Sequence, residues 1–178
     1  MFKVVFGSIG VAKTLTERYS FGGQMEKLHK LVLGFRQTME CLNSSDFDGT
    51  SLSTSKFPLA CCDDSSQILA AYLTDNGFSG ATLIRGEYGG NKGELKSHVW
   101  LDLGGIKIDI TADQFNIYGY DNPSVIMTRK NMFLETFETA NDGIADFRIH
   151  LKEYSDPGLE RDFESCYKVI LSQLSAQA

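Results

Sequence analysis

Apolar positions Met25, Leu28, Leu31, Val32, Phe35, Met39 and Leu42 recur at steps of three and four, which predicts an amphipathic helix over 24–42. Residues 43–56 are dense in Ser, Asp, Thr and Gly and read as an exposed connection. After Phe57-Pro58 a second helix is expected, with Asp64 and Gln67 as a capping box, an apolar face through Leu69 and Leu73, and a stop at Asn76-Gly77. The period then changes to two. Residues 81–88 read as a strand, 89–93 as a Gly-rich loop, and 97–111 as a hairpin turning at Gly104-Gly105. Strand-like pieces follow at 124–128 and 147–151, with a helix around 131–138 and turns at Asp121-Asn122-Pro123 and Asn141-Asp142-Gly143. The last predicted helix is capped by Asp156, starts at Pro157 and carries Leu159, Phe163, Ile170 and Leu174 on one side. Helices before and after an antiparallel sheet give an α+β fold.

The hairpin turn fixes its register. Leu103/Ile106, Leu101/Ile108 and Val99/Ile110 then share one aliphatic face, and Asp102/Lys107, Trp100/Asp109 and His98/Thr111 share the other. On that second face His98 and Asp109 are diagonal neighbours, about 7 Å apart at Cβ, within reach of a hydrogen bond that would leave one imidazole nitrogen free. As an ordinary solvated face it would need no chemistry. Trp100, however, sits between the two polar residues and suits a cleft wall better than bulk water.

Length and composition narrow the classes. The 178 residues, 42% hydrophobic with three prolines, fit one domain over 1–178. A net charge of −6 with no basic block longer than Arg129-Lys130 removes the main energy of nucleic-acid binding, and no apolar run approaches a membrane span. Residues 1–12 are the only stretch that imitates a signal peptide, short and with a single Lys3. The cytoplasm is therefore the expected location, and secretion as an effector the alternative.

Cys41, Cys61, Cys62 and Cys166 are too few for a disulfide framework, and reduced thiols are expected. No C-x-x-C is present, and His29, His98 and His150 are too far apart in sequence to announce a metal site. Cys41 and Cys166 read as buried small hydrophobes. Ala60-Cys61-Cys62-Asp63 instead lies where an extended segment meets a helix N-terminus, whose free N–H groups and partial positive charge favour thiolate and can receive an oxyanion. Asp63 and Asp64 oppose that ionisation unless they point away.

A Cys opening a helix, then Ser97-His98-Val99-Trp100 on a strand, then Asp109 on the next strand resembles the papain-like, transglutaminase-like thiol superfamily in its Cys, His, Asp order. More narrowly, Phe57-Pro58-x-x-x-Cys62-x-Asp64-x-Ser66-x-x-Leu69-x-x-Tyr72-Leu73, with Ser97-His98-x-Trp100 and Ile108-Asp109-Ile110-Thr111-x-Asp113-Gln114-Phe115, is similar to small uncharacterised bacterial transglutaminase-like proteins. The likeness spans about residues 57–115. It implies Cys62 as nucleophile, His98 as general base and then acid, Asp109 as the orienting carboxylate, and a papain-like core with the Cys-bearing helix on a central antiparallel sheet. The chain departs from the pattern in having Asp63 where an aromatic residue usually follows the cysteine, and it has no counterpart of the animal calcium sites. The upstream side chain that often completes the oxyanion hole has no placed counterpart, with Gln24 as the candidate.

The expected activity is amide hydrolysis, as a peptidase or glutamine deamidase, on a protein or peptide substrate bound partly by Trp100, through a thioester and without cofactor or metal. Protein-glutamine transglutaminase chemistry would use the same triad. Hydrolysis ranks first because water needs no second binding site. Two rivals are a catalytically silent thiol-fold binding module, favoured by the acidic pair beside Cys62, and a structural or interaction protein in which His98 and Asp109 meet by coincidence.

Overall fold

A computed structural model describes the backbone of residues 9–177, with side-chain environments from residue 22. Helix α1 spans Ile9–Cys41 and therefore begins well before the predicted Gln24. Residues 1–8 of the signal-like start lie outside the described residues. The predicted stripe is the one α1 buries, with Leu28, Val32, Phe35 and Met39 at 0–1% exposure. The connection after it is less exposed than its composition suggests. It winds through a 3₁₀ turn at Ser44–Asp46 and a short helix α2, Ser51–Thr54, and sinks Phe47, Thr50 and Leu52 into the core.

Helix α3 spans Cys62–Asp75. Cys61, not Asp64, is its N-cap residue, because the Asp64 carboxylate turns back to accept from the backbone and hydroxyl of Ser51 at 2.6 and 2.7 Å. Gln67 donates to Asp63 instead of closing a capping box. The helix stops at Asn76-Gly77 as expected, Gly77 taking the left-handed φ of +92° that a side chain would resist.

Strands β1 (Thr82–Gly89), β2 (Leu95–Leu103), β3 (Ile106–Asp109), β4 (Ile126–Thr128) and β5 (Glu138–Ile144) form one antiparallel sheet in the order β4-β3-β2-β1-β5. The hairpin pairs Leu103 with Ile106, Asp102 with Lys107 and Leu101 with Ile108, the register the Gly104-Gly105 turn dictates. Both glycines have positive φ, which suits the twist of a two-residue hairpin. Strand β5 escapes the sequence pattern: it is an exposed edge, and Asn141-Asp142-Gly143 lies within it where its pairing with β1 shifts register, rather than in a separate turn. The helix expected at 131–138 shrinks to a 3₁₀ turn at Leu134–Thr136, and the piece at 147–151 is helix α4, Phe147–His150, not a strand. Helix α5, Pro157–Gln177, starts as predicted, with Asp156 Oδ1 accepting from Gly158 and Leu159.

Both faces of the sheet are covered. Helices α1, α3 and α5 pack together, α3 lying on β2, and bury Leu83, Val99, Leu101 and Ile108 on the aliphatic face. On the other face Trp100, Phe115, Ile126, Leu134 and Phe137 form a second, smaller core. The face that carries His98 and Asp109 is therefore an interior and not a solvated surface. Among the described residues no helix is long and apolar enough to cross a membrane.

Candidate active site

Strand β2 places His98 and Trp100 on the second core, and β3 ends at Asp109 beside them. His98 Nε2 donates to Asp109 Oδ2 at 2.6 Å, and both side chains have no exposure. The other carboxylate oxygen, Oδ1, accepts from the Thr111 backbone at 2.8 Å and from its hydroxyl at 3.1 Å. Both carboxylate oxygens are thus occupied by donors, one by the imidazole and the other by Thr111. Rings enclose the imidazole: Phe115 edge-on at 5.0 Å, Trp100 and Phe137 at 5.8 Å. Burial acts to lower the His98 pKa, but the charge and hydrogen bond of Asp109 and the Cys62 thiol act the other way and prevail, pushing it up to about 10.

Cys62 opens α3, is partly exposed, and is among the groups that raise the His98 pKa. Because Nε2 is committed to Asp109, the nitrogen available to the thiol is Nδ1. The first N–H groups of a helix have no acceptor within it, so the Cys62 end of α3 presents donors where an oxyanion could form. Its neighbour behaves differently. Cys61 is fully buried and its thiol points away to the Leu59 carbonyl at 3.0 Å; burial first, then the charges of Asp64 and Cys62, push it up to about 12.

The acidic pair after the cysteine is engaged elsewhere. Asp63 accepts from Arg85 at 2.9 Å and from Gln67 at 2.8 Å, and Asp64 is held by Ser51, so neither carboxylate stands unpartnered beside the sulfur.

Two expectations are corrected here. Trp100 does not line a cleft: at 1% exposure, packed against His98 and Phe137, it walls the histidine from behind and cannot touch a substrate. Cys41 is exposed at the end of α1, whereas Cys166 is buried as expected. Gln24, the candidate oxyanion donor, is exposed on α1. The amide that meets the histidine is Gln114, whose Nε2 lies 3.5 Å from His98 Nδ1.

Arg36 is a residue the sequence reading passed over. It donates to both Asp113 oxygens at 2.8 and 2.7 Å, to the Ile110 carbonyl and to the Ser124 carbonyl, while its guanidinium stacks 4.8 Å from the Phe57 ring. It thus ties α1 to the segment that follows Asp109 and to the approach to Cys62. Its signal was present, since Arg36 falls four residues after Val32 on the buried stripe with Glu40 a further four on.

Among the described residues no three His, Cys, Asp or Glu side chains gather as a metal site. Surface grooves of about 510 and 560 Å³ run along α5, and neither includes Cys62, His98 or Asp109. Compared with protein-family models, curated proteins and solved structures, the chain returns no match.

Proposed function

We propose that the chain is a cysteine-dependent amide hydrolase, a peptidase or glutamine deamidase with a papain-like, transglutaminase-like thiol core and a Cys62-His98-Asp109 triad. The observation that carries this reading is the fully buried Asp109 Oδ2–His98 Nε2 pair, with a partly exposed Cys62 at the first position of a helix among the groups that raise the His98 pKa. A helix-opening cysteine, a histidine and a carboxylate hydrogen-bonded to it, spread over nearly fifty positions of sequence, are the groups that nucleophilic thiol chemistry requires.

In the proposed cycle the Cys62 thiolate attacks a carboxamide or peptide carbonyl while the imidazolium waits with its proton on Nδ1. The developing oxyanion meets the free N–H groups at the start of α3. The C–N bond breaks as Nδ1 gives its proton to the leaving amine or ammonia, leaving a thioester and a neutral ring. Water then loses a proton to Nδ1 and its oxygen attacks the thioester; the acid departs, and the thiolate and imidazolium are restored. Asp109 holds Nε2–H throughout and keeps the proton traffic on Nδ1.

The rim suits a protein or peptide substrate. Leu59, three residues before Cys62, Ile117 and Tyr118 after Gln114, and Met132 next to Phe133 are exposed large apolar side chains close in sequence to groups of the site. Transamidation by the same triad remains the alternative outcome of the test. The purified protein is incubated with glutamine-containing proteins and the products read by mass spectrometry. A mass gain of about 1 Da at glutamine, or cleavage, absent with Cys62→Ala, supports hydrolysis; crosslinks mark the transferase; and identical products from both proteins overturn the reading.

A further inference from the structure

The Gln114 amide is oriented by two backbone groups that leave it no choice. Nε2 donates to the Thr111 carbonyl at 3.0 Å, and Oε1 accepts from the Ala60 N–H at 3.2 Å. A carbonyl can only accept and an N–H can only donate, so the end of the amide that faces His98 Nδ1 at 3.5 Å is the NH₂. On the ring, Nε2 must carry a hydrogen because its partner is a carboxylate. The state of Nδ1 alone therefore distinguishes neutral from charged histidine. A lone pair there faces a donor, which is favourable; an N–H there faces another N–H, which is not.

The titratable groups that act on this ring are Asp109 from β3 and Cys62 from α3, and both favour the imidazolium. The remaining neighbours from β2, the 3₁₀ segment Ala112–Tyr118 and the β4–β5 connection are the rings of Trp100, Phe115, Phe133 and Phe137, and from β1 comes Gly86. Gln114 is the polar group on the opposing side of that balance. Its second attachment is also at the site: Ala60, two residues before Cys62, has the left-handed φ of +52°, unusual for a residue with a Cβ, and Gln114 holds its N–H.

We propose that Gln114 is a positioning residue whose donor edge favours neutral Nδ1, limiting how firmly His98 keeps the proton that it must pass to the leaving amine, while its other end holds the Ala60 turn that leads into Cys62. This rests on the acyl-transfer reading of the same site. A ring held as imidazolium by a buried carboxylate and a thiolate would be a poor acid and, after transfer, an overly eager base; an opposing donor brings the two states closer.

The test is titration of the His98 ring nitrogens by NMR in the full chain carrying Cys62→Ala, so that Asp109 and Gln114 are the partners compared. Gln114→Glu keeps the length and the acceptor for Ala60 but replaces the donor by a carboxylate, and the His98 midpoint should rise by about one pH unit or more. Gln114→Met, of similar length with no donor, should raise it by less and serves as the readout if the glutamate variant does not fold. A midpoint that stays or falls, whether or not melting temperature drops, reduces Gln114 to a structural tether and overturns the proposal. Selective alkylation of Cys62 in the unsubstituted protein separates the two layers. With selective labelling and an unmoved midpoint, only the Gln114 role fails; with no selective labelling, the acyl-transfer reading fails and the proposal falls with it.

Discussion

Asp109 Oδ2 stands 2.6 Å from His98 Nε2 with neither side chain exposed, and the other Asp109 oxygen takes two hydrogen bonds from Thr111. The pair is thus part of the second core as well as of the site. Removing the carboxylate strands a buried imidazolium and an N–H together. Asp109→Ala should cost about 3–5 kcal/mol of stability in addition to activity. Asp109→Asn, with one acceptor oxygen to share between His98 and Thr111, should cost about 1–2 kcal/mol. Urea unfolding of the three proteins at pH 7 measures both differences, and equal stability of wild type and Asp109→Ala would contradict the buried pair.

The same pair sets a pH dependence. The ordinary imidazole pKa is 6.5, and in the folded protein it is pushed up to about 10, since the charge of Asp109 and its hydrogen bond outweigh burial. Between those values the folded state binds a proton the unfolded state does not, so stability falls as pH rises. The contribution is whole below about 6.5 and is lost through about 10. Urea midpoints of wild type and Asp109→Asn, taken every half unit from pH 6 to 10.5, should converge across this window. A difference constant with pH would contradict the charged pair.

Gly86 lies opposite His98 in the β1–β2 ladder, and a Cβ there would come within 2.7 Å of Phe137 Cβ and 2.8 Å of the Trp100 ring. Gly86→Ala should therefore push the aromatic wall off His98, cost about 1–3 kcal/mol and shift the emission of Trp100, the only tryptophan, to longer wavelength. Gly34, inside α1 with open space around its Cα, is the control. Gly34→Ala should leave emission unchanged and add up to about 1 kcal/mol of stability.

Periodicity made the buried stripes of α1, α3 and α5 and the hairpin legible; Asn76-Gly77, Gly104-Gly105 and Asp156-Pro157 mark bounds of the last three, while α1, with no such mark at its start, extends well before its stripe. The hairpin register, and with it the meeting of His98 and Asp109, followed from two glycines. What was not legible was what covered the second face. Phe115, Phe133 and Phe137 lie on a 3₁₀ segment and a connection with no period to read, so Trp100 read as a cleft residue although it is a core one. Strand β5 was hidden because it is an exposed edge held by ladder hydrogen bonds, and exposure leaves no hydrophobic alternation. Gln114 and Arg36 act through backbone groups distant in sequence, a relationship that composition does not encode.

The two adjacent thiols give the most direct test of the account, because they share a sequence context and differ only in surroundings. Cys61 is sealed in the core with its thiol pushed up to about 12, whereas Cys62, the proposed partner of His98, keeps part of its surface open and is among the groups that raise the His98 pKa. Exposed Cys41 reports how an ordinary accessible thiol reacts. After limited treatment with iodoacetamide at pH 6, peptide mapping should find label on Cys62 well ahead of Cys41 and none on Cys61, and His98→Ala should erase the lead of Cys62 over Cys41. Label falling first on Cys61, or a Cys62 no faster than Cys41 and indifferent to His98→Ala, would contradict Cys62 as the nucleophile.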